Sequence, residues 1–185
     1  MNIEELIQQI EKRPGIYVGC LELEPVIYFI EGFLYNNVVT GRVDNIEKEF
    51  RGKFHDWSRE QLEKKYNQRF EKHHNYMYYI KKVCFNSEDG LKILFELCNE
   101  FFREYHEANQ SFASNIKEHI NDFDYLYEYL VKCKNDGMDK ESMLKNLEIL
   151  RSESDSEADE DMLLDLMDFA SGWCSSRMSI YKEGD

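Results

Sequence analysis

The chain has 185 residues, 42% of them hydrophobic, with 37 Asp or Glu against 23 Lys or Arg and a formal net charge of −14. A field of that sign repels nucleic acid and anionic membrane and attracts basic proteins, so neither nucleic acid nor membrane is expected as a partner. The length fits a single helical domain over 1–185, and 12 Phe, 12 Tyr and 2 Trp are ample for a packed core.

Ile3, Leu6, Ile7 and Ile10 recur at helical spacing, and Arg13-Pro14-Gly15 stops that helix because Pro restrains the residue before it. Ile16-Tyr17-Val18 reads as a short extended piece closed by Gly19. Pro25 suits the first turn of a second helix with the stripe Leu23, Val26, Ile27, Ile30, Phe33 and Leu34. Asn36 to Asn45 reads as a loop around Gly41, with Val38-Val39-Thr40 as a strand fragment.

Ile46, Phe50, Phe54 and Trp57 mark a third helix, and Ser58-Arg-Glu-Gln61 has the form of a capping box that starts another, burying Leu62, Tyr66 and Phe70. Tyr76, Tyr79, Ile80 and Val83 give a further short face. Tyr76, Tyr78 and Tyr79 cannot all point inward on one helix, which makes them candidate interface anchors. Ser87-Glu88-Asp89 offers a cap and two acids to an amphipathic helix running from Leu91 to Tyr105. Phe112 to Lys134 repeats the pattern, with Gly137 as its stop. Met143, Leu144, Leu147 and Leu150 form one more helix, and Leu163, Leu166, Met167 and Ala170 the last. No period-2 alternation is sustained. The expected class is mainly α, an irregular bundle of seven to nine helices with at most a short β fragment near 16–18 or 38–40.

Charge is distributed unevenly. Residues 136–185 hold fourteen acids and five bases, a net of −9, while the rest of the chain carries only −5. The skew peaks from Glu153 to Asp161, where Glu153, Asp155, Glu157, Asp159, Glu160 and Asp161 are acidic and no residue is basic. Residues 152–161 read as an acidic loop or mobile segment between two amphipathic helices. These six acids, with Tyr76, Tyr78 and Tyr79, are the expected partner-binding residues. The bland alternative is a solvated loop.

No metal, cofactor or catalytic site is read from the chain. Adjacent His73 and His74 point about 100° apart on a helix and cannot clamp one ion. Taking Asp155 as the first position of a calcium loop puts Glu160 where Gly is needed and Leu166 where a bidentate Glu is needed. The five Cys are odd in number and never in a CxxC pair, and free thiols are the simpler reading. Met1-Asn-Ile-Glu-Glu opens without an apolar leader, and no apolar stretch nears the about 18 residues of a membrane helix. A cytoplasmic protein is expected, and four Ala beside abundant Asn, Lys, Ile, Tyr and Glu suggest an A/T-rich bacterial gene.

Three resemblances bear on function. Arg13-Pro-Gly-Ile-Tyr-Val-Gly19 looks like the RPGMYIG stretch of the gyrase B family, but that family's N-E-x-x-D helix and glycine-rich lid are missing, so the fragment reads as a turn plus a buried Tyr17. Arg69-Phe-Glu-Lys-His-His74 resembles the RNase signature of HEPN domains, which implies Arg69 and His74 converging on a scissile phosphate. Phe70 stands there in place of the family's polar residue, and a charge of −14 opposes RNA binding. The widest resemblance starts from Arg13 to Gly19 and a helix ending near Gly32-Phe33-Leu34. It continues through Phe54-x-x-Trp57, Tyr66, and Ser87-Glu88-Asp89 before Phe95, Leu97 and Phe101-Phe102. Over about residues 1–108 the chain is similar to bacterial immunity proteins encoded beside polymorphic toxins. That resemblance implies a non-enzymatic inhibitor that binds a basic protein, a cognate toxin domain and in one form a nuclease, by direct contact. The alternatives are a HEPN-like RNase and a stand-alone scaffold dimerising through Leu163, Leu166 and Met167.

Overall fold

The computed structural model describes residues 1–174 and 178–181. Among these are nine helices and no strand, so the mainly α expectation holds. Their buried apolar side chains gather into two clusters, one in residues 1–105 and one in residues from 106 onward.

The first unit opens with α1 (Ile3–Lys12). Asn2 Oδ1 accepts from the Glu5 amide at 2.8 Å and Glu5 Oε2 accepts from the Asn2 amide at 2.9 Å, a reciprocal cap. Ile3, Leu6, Ile7 and Ile10 are all buried, as their spacing predicts. Residues 16–18, expected to be extended, instead belong to α2 (Pro14–Val18). Pro14 occupies the first helical position, where its missing donor costs nothing, and Gly19 ends the turn at φ 74°, donating to Gly15 O. Tyr17 is half-buried, its hydroxyl donating to Gln9 Oε1 at 2.6 Å.

Residues 38–40 are likewise helical, as the last turn of α3 (Leu23–Thr40). The β-branched run yields to its terminus: Gly41 takes φ 67°, the Arg42 amide donates to Asn37 O at 2.8 Å, and Thr40 Oγ1 donates to Asn36 O at 2.8 Å. The box at Ser58–Gln61 starts nothing, because α4 is continuous from Asn45 to Tyr66. Ser58 Oγ donates to His55 O at 2.9 Å inside the helix, and Ile46, Phe50, Phe54, Ser58 and Leu62 form one unbroken buried face at four-residue steps. α5 (Tyr76–Val83) and α6 (Ser87–Glu118) follow. The cap of α6 is Asn86, whose Oδ1 accepts from the Asp89 amide at 2.9 Å, while Ser87 Oγ accepts from the Leu23 amide. Aromatic rings fill the centre of this unit. Phe54 lies 4.3 Å from Phe50, 5.0 Å from Tyr76 and 5.4 Å from Phe101, by ring centroids.

One buried carboxyl stands in this unit. Glu47 is 1% exposed; its Oε2 accepts from Asn37 Nδ2 at 2.6 Å, while Oε1 has no hydrogen-bond partner. Burial first, then the nearby Asp44, push its pKa above the ordinary glutamate range, against the Asn37 hydrogen bond and Arg51. A carboxyl with a raised folded pKa binds more protons folded than unfolded, so its contribution to stability falls as pH rises through that window. Thermal melts of wild type and Glu47→Gln between about pH 4.5 and about pH 7 should therefore diverge, with the wild type losing ground to the variant as pH climbs. Parallel curves would show that the Glu47 carboxyl titrates alike in the folded and unfolded chain, its pKa unshifted by burial.

The second unit takes Phe112 and Ile116 from α6, Leu126 and Leu130 from α7 (Phe123–Asn135), Met143, Leu147 and Leu150 from α8 (Lys140–Ser152), and Leu163, Leu166 and Ala170 from α9 (Glu157–Ser171). The expected helix from Phe112 to Lys134 is broken instead at 119–122, where Asp122 caps α7 by accepting from the Tyr125 amide. Asp139 caps α8 in the same way through the Ser142 amide at 2.9 Å. Tyr181 closes the cluster, its hydroxyl donating to Met138 O at 2.6 Å.

Candidate protein-binding surfaces

The acidic run is largely the start of a helix. Glu153 follows the last turn of α8, residues 154–156 connect, and Glu157 onward is α9, so the expected loop over 152–161 is non-helical only at 153–156. Ser156 caps α9 by accepting from the Asp159 amide at 3.4 Å, and Glu157, Asp159 and Glu160 fall in the first turn. Acids there meet the positive end of the helix dipole, which offsets part of their mutual repulsion. Local helix chemistry thus accounts for half of the six.

Two of the acids have basic neighbours. Glu153 pairs with Lys117 at 3.1 Å, and Glu160 lies 3.5 Å from Arg151, which Glu148 also holds through two hydrogen bonds of 2.9 and 2.6 Å. Asp155, Glu157 and Asp161 are exposed and have no ion-pair partner among the described residues. Beside them is a cleft of about 420 Å³ lined by apolar Ile116, Ile120, Leu150 and Leu163 and by Lys117, Glu153, Asp155 and Asp159. An apolar floor under an acidic rim suits a long basic side chain, whose stem is apolar and whose head is charged.

The tyrosines separate. Tyr76 is 1% and Tyr79 0% exposed, so both are core residues and not surface anchors. Burial and the neighbouring Glu31, which accepts from its hydroxyl at 2.9 Å, hold the Tyr76 phenol well above the usual range. Tyr78 alone of the three is half-exposed; it stacks on His74 at 3.9 Å, with Lys82 Nζ over its ring. Leu163 and Leu166, expected at a dimer seam, are also buried in the second unit.

Arg69 and His74 lie in the irregular connection between α4 and α5. His74 Nε2 faces Glu71 at 3.5 Å, whereas Arg69 lines a shallow cleft with Glu60, Glu63 and Lys64. Each has its own neighbours. Among the described residues no group of three or more His, Cys, Asp or Glu could hold a metal ion, and no helix is long and apolar enough to cross a membrane. No disulfide joins the cysteines among the described residues, and burial pushes the thiol of Cys98 far up.

One surface escaped the sequence reading. α3 buries the predicted stripe except for the half-buried Phe33, but also exposes Tyr28, Tyr35, Val38 and Val39. The signal was present, since a helix apolar on every side needs a second contact or a reason to lack one. Compared with known proteins, the chain matches no family model, no curated protein and no solved structure.

Proposed function

We propose that the chain is a protein-binding domain that acts as an immunity protein, neutralising a cognate toxin domain by direct contact through the acidic face of its second unit. The observation that carries this reading is the trio Asp155, Glu157 and Asp161, exposed without a basic partner among the described residues, beside a cleft with apolar walls. Carboxylates gathered at one helix start focus a negative potential that speeds encounter with a basic protein, and the cleft offers an aliphatic side chain a place to be buried. A nuclease toxin fits as occupant because a surface made to hold phosphate is basic. Co-expression with the toxin domain encoded immediately upstream is the test. Restored growth and a complex that weakens with added salt are the expected results. A toxin that stays lethal, or a locus without one, would overturn the reading.

A further inference from the structure

Lys117 and Glu153 are distant in the chain, yet their side chains meet at 3.1 Å beside the cleft that both help to line. Lys117 belongs to the last turn of α6, and Glu153 follows the last turn of α8. Both side chains are more than half exposed, 59% and 55%, so this is a weak surface pair that opens readily. In the free protein, one long basic side chain is thus already held, loosely, at this cleft.

The charge around the cleft favours a further cation. Glu153, Asp155 and Asp159 line it against the single base Lys117, a net of −2. Asp155 and Asp159 have no ion-pair partner among the described residues. Arg151, the other base nearby, is engaged by Glu148 and Glu160. α6 and α8 both end here, and each C-terminus presents roughly half a negative charge. Only α9 begins here, and Ser156 and the acids of its first turn answer its positive end. Beneath this rim lie Ile116, Ile120, Leu150 and Leu163, and the volume of about 420 Å³ falls in the range of small-ligand sites, roughly 300–1,000 Å³.

Apolar walls under carboxylates suit an aliphatic stem that ends in a cation. Of the two basic side chains, arginine fits better. Its guanidinium is more weakly hydrated than an ammonium, and its planar fork can engage more than one carboxylate. We propose that the cleft receives an arginine side chain of the bound partner, its stem against Ile120 and Leu150 and its guanidinium displacing the Lys117 ammonium from Glu153, with Asp159 as a second acceptor. Lys117 is then a placeholder that competes with the partner for Glu153. The partner's identity rests on the toxin-binding reading, but the cleft can be tested without a toxin.

The probe is n-pentylguanidinium, with guanidinium and n-hexanol as head and stem alone, and binding to the full chain is read from the methyl NMR signals of Ile116, Ile120, Leu150 and Leu163. Pentylguanidinium should shift these signals saturably and bind at least about tenfold tighter than either fragment. Lys117→Ala should tighten binding by about threefold, because the competing ammonium is gone. Glu153→Gln/Asp159→Asn should weaken it by more than about fivefold with an unchanged circular dichroism spectrum. Shifts that fail to saturate, a response to n-hexanol equal to that of the probe, or a Lys117→Ala chain that binds more weakly would overturn the proposal. A toxin left lethal by a chain whose cleft still takes the probe would remove the toxin reading and support the cleft as a guanidinium site. A neutralised toxin whose affinity is unmoved by Lys117→Ala and by the double change would do the reverse.

Discussion

Replacing Phe54 with alanine should cost the first unit about 3–5 kcal/mol, a large part of the 5–15 kcal/mol by which a domain is stable. Phe54 is 1% exposed, and its ring lies within 6.0 Å, centroid to centroid, of Phe50, Trp57, Tyr76 and Phe101. Those rings come from three helices, α4, α5 and α6, so the cavity left behind cannot close by moving one side chain. Trp57 reports the loss directly, since it stacks on Phe54 and meets Phe101 edge-on at 5.3 Å, whereas Trp173 is 88% exposed and changes little on unfolding. Urea titration followed by tryptophan fluorescence should show a lower midpoint with a similar slope. Tyr76→Phe is the control. It keeps the ring and removes only the hydroxyl bond to the Glu31 carboxylate, which is worth about 1.5–3 kcal/mol. Equal losses from the two changes would mean that the Phe54 ring contributes no more than that one polar bond.

The sequence was most legible where apolar spacing and end signals agreed. At α1 the buried set Ile3, Leu6, Ile7 and Ile10 and the stop before Pro14 were both visible. Misreadings arose where a local signal competed with a longer face. The box at Ser58–Gln61 is chemically sound, but the buried line from Ile46 to Leu62 continues through it. Val38-Val39-Thr40 favours strand, yet the helix before it and the left-handed Gly41 after it decide its state. His106 to Ser111 looked like a gap because apolar residues lapse there. A helix needs no apolar residue to continue, and with neither Pro nor Gly in that stretch α6 runs through. What spacing could not show is which apolar residues share a core. Phe112 and Phe102 are ten positions apart on one helix, yet each belongs to a different cluster.

The same limit applied to the tyrosines of α5. Helical geometry required that one of Tyr76, Tyr78 and Tyr79 face outward, and Tyr78 does. Identifying it depended on knowing that α4 supplies Phe50 and Phe54 to cover Tyr76, and that Phe70 lies against Tyr79 at 5.7 Å. Those contacts join residues up to twenty-six positions apart, as with Phe50 and Tyr76, and periodicity within one helix carries no information about them.

Removing charge from the acidic helix start should separate recognition from folding. The triple change Asp155→Asn, Glu157→Gln, Asp161→Asn takes the chain from −14 to −11 and touches no ion pair among the described residues. Its effect on stability should be small. Glu157 gives up a dipole interaction of about 0.3–1 kcal/mol, offset by relief of repulsion from Asp159 and Glu160 in the same turn. Its effect on association with a basic toxin domain should be large: an on-rate lower by about tenfold at low salt, with a flatter dependence on ionic strength and little change in the off-rate. Ser156→Ala is the complement, because it keeps every charge and removes the cap of α9, costing about 1 kcal/mol of stability. Stopped-flow association and thermal melting of both variants form a two-by-two comparison. If the uncapped variant binds slowly and the triple variant binds like wild type, helix order matters and the field does not. If neither slows binding, the six acids serve the local electrostatics of a helix terminus, and recognition resides elsewhere on the surface.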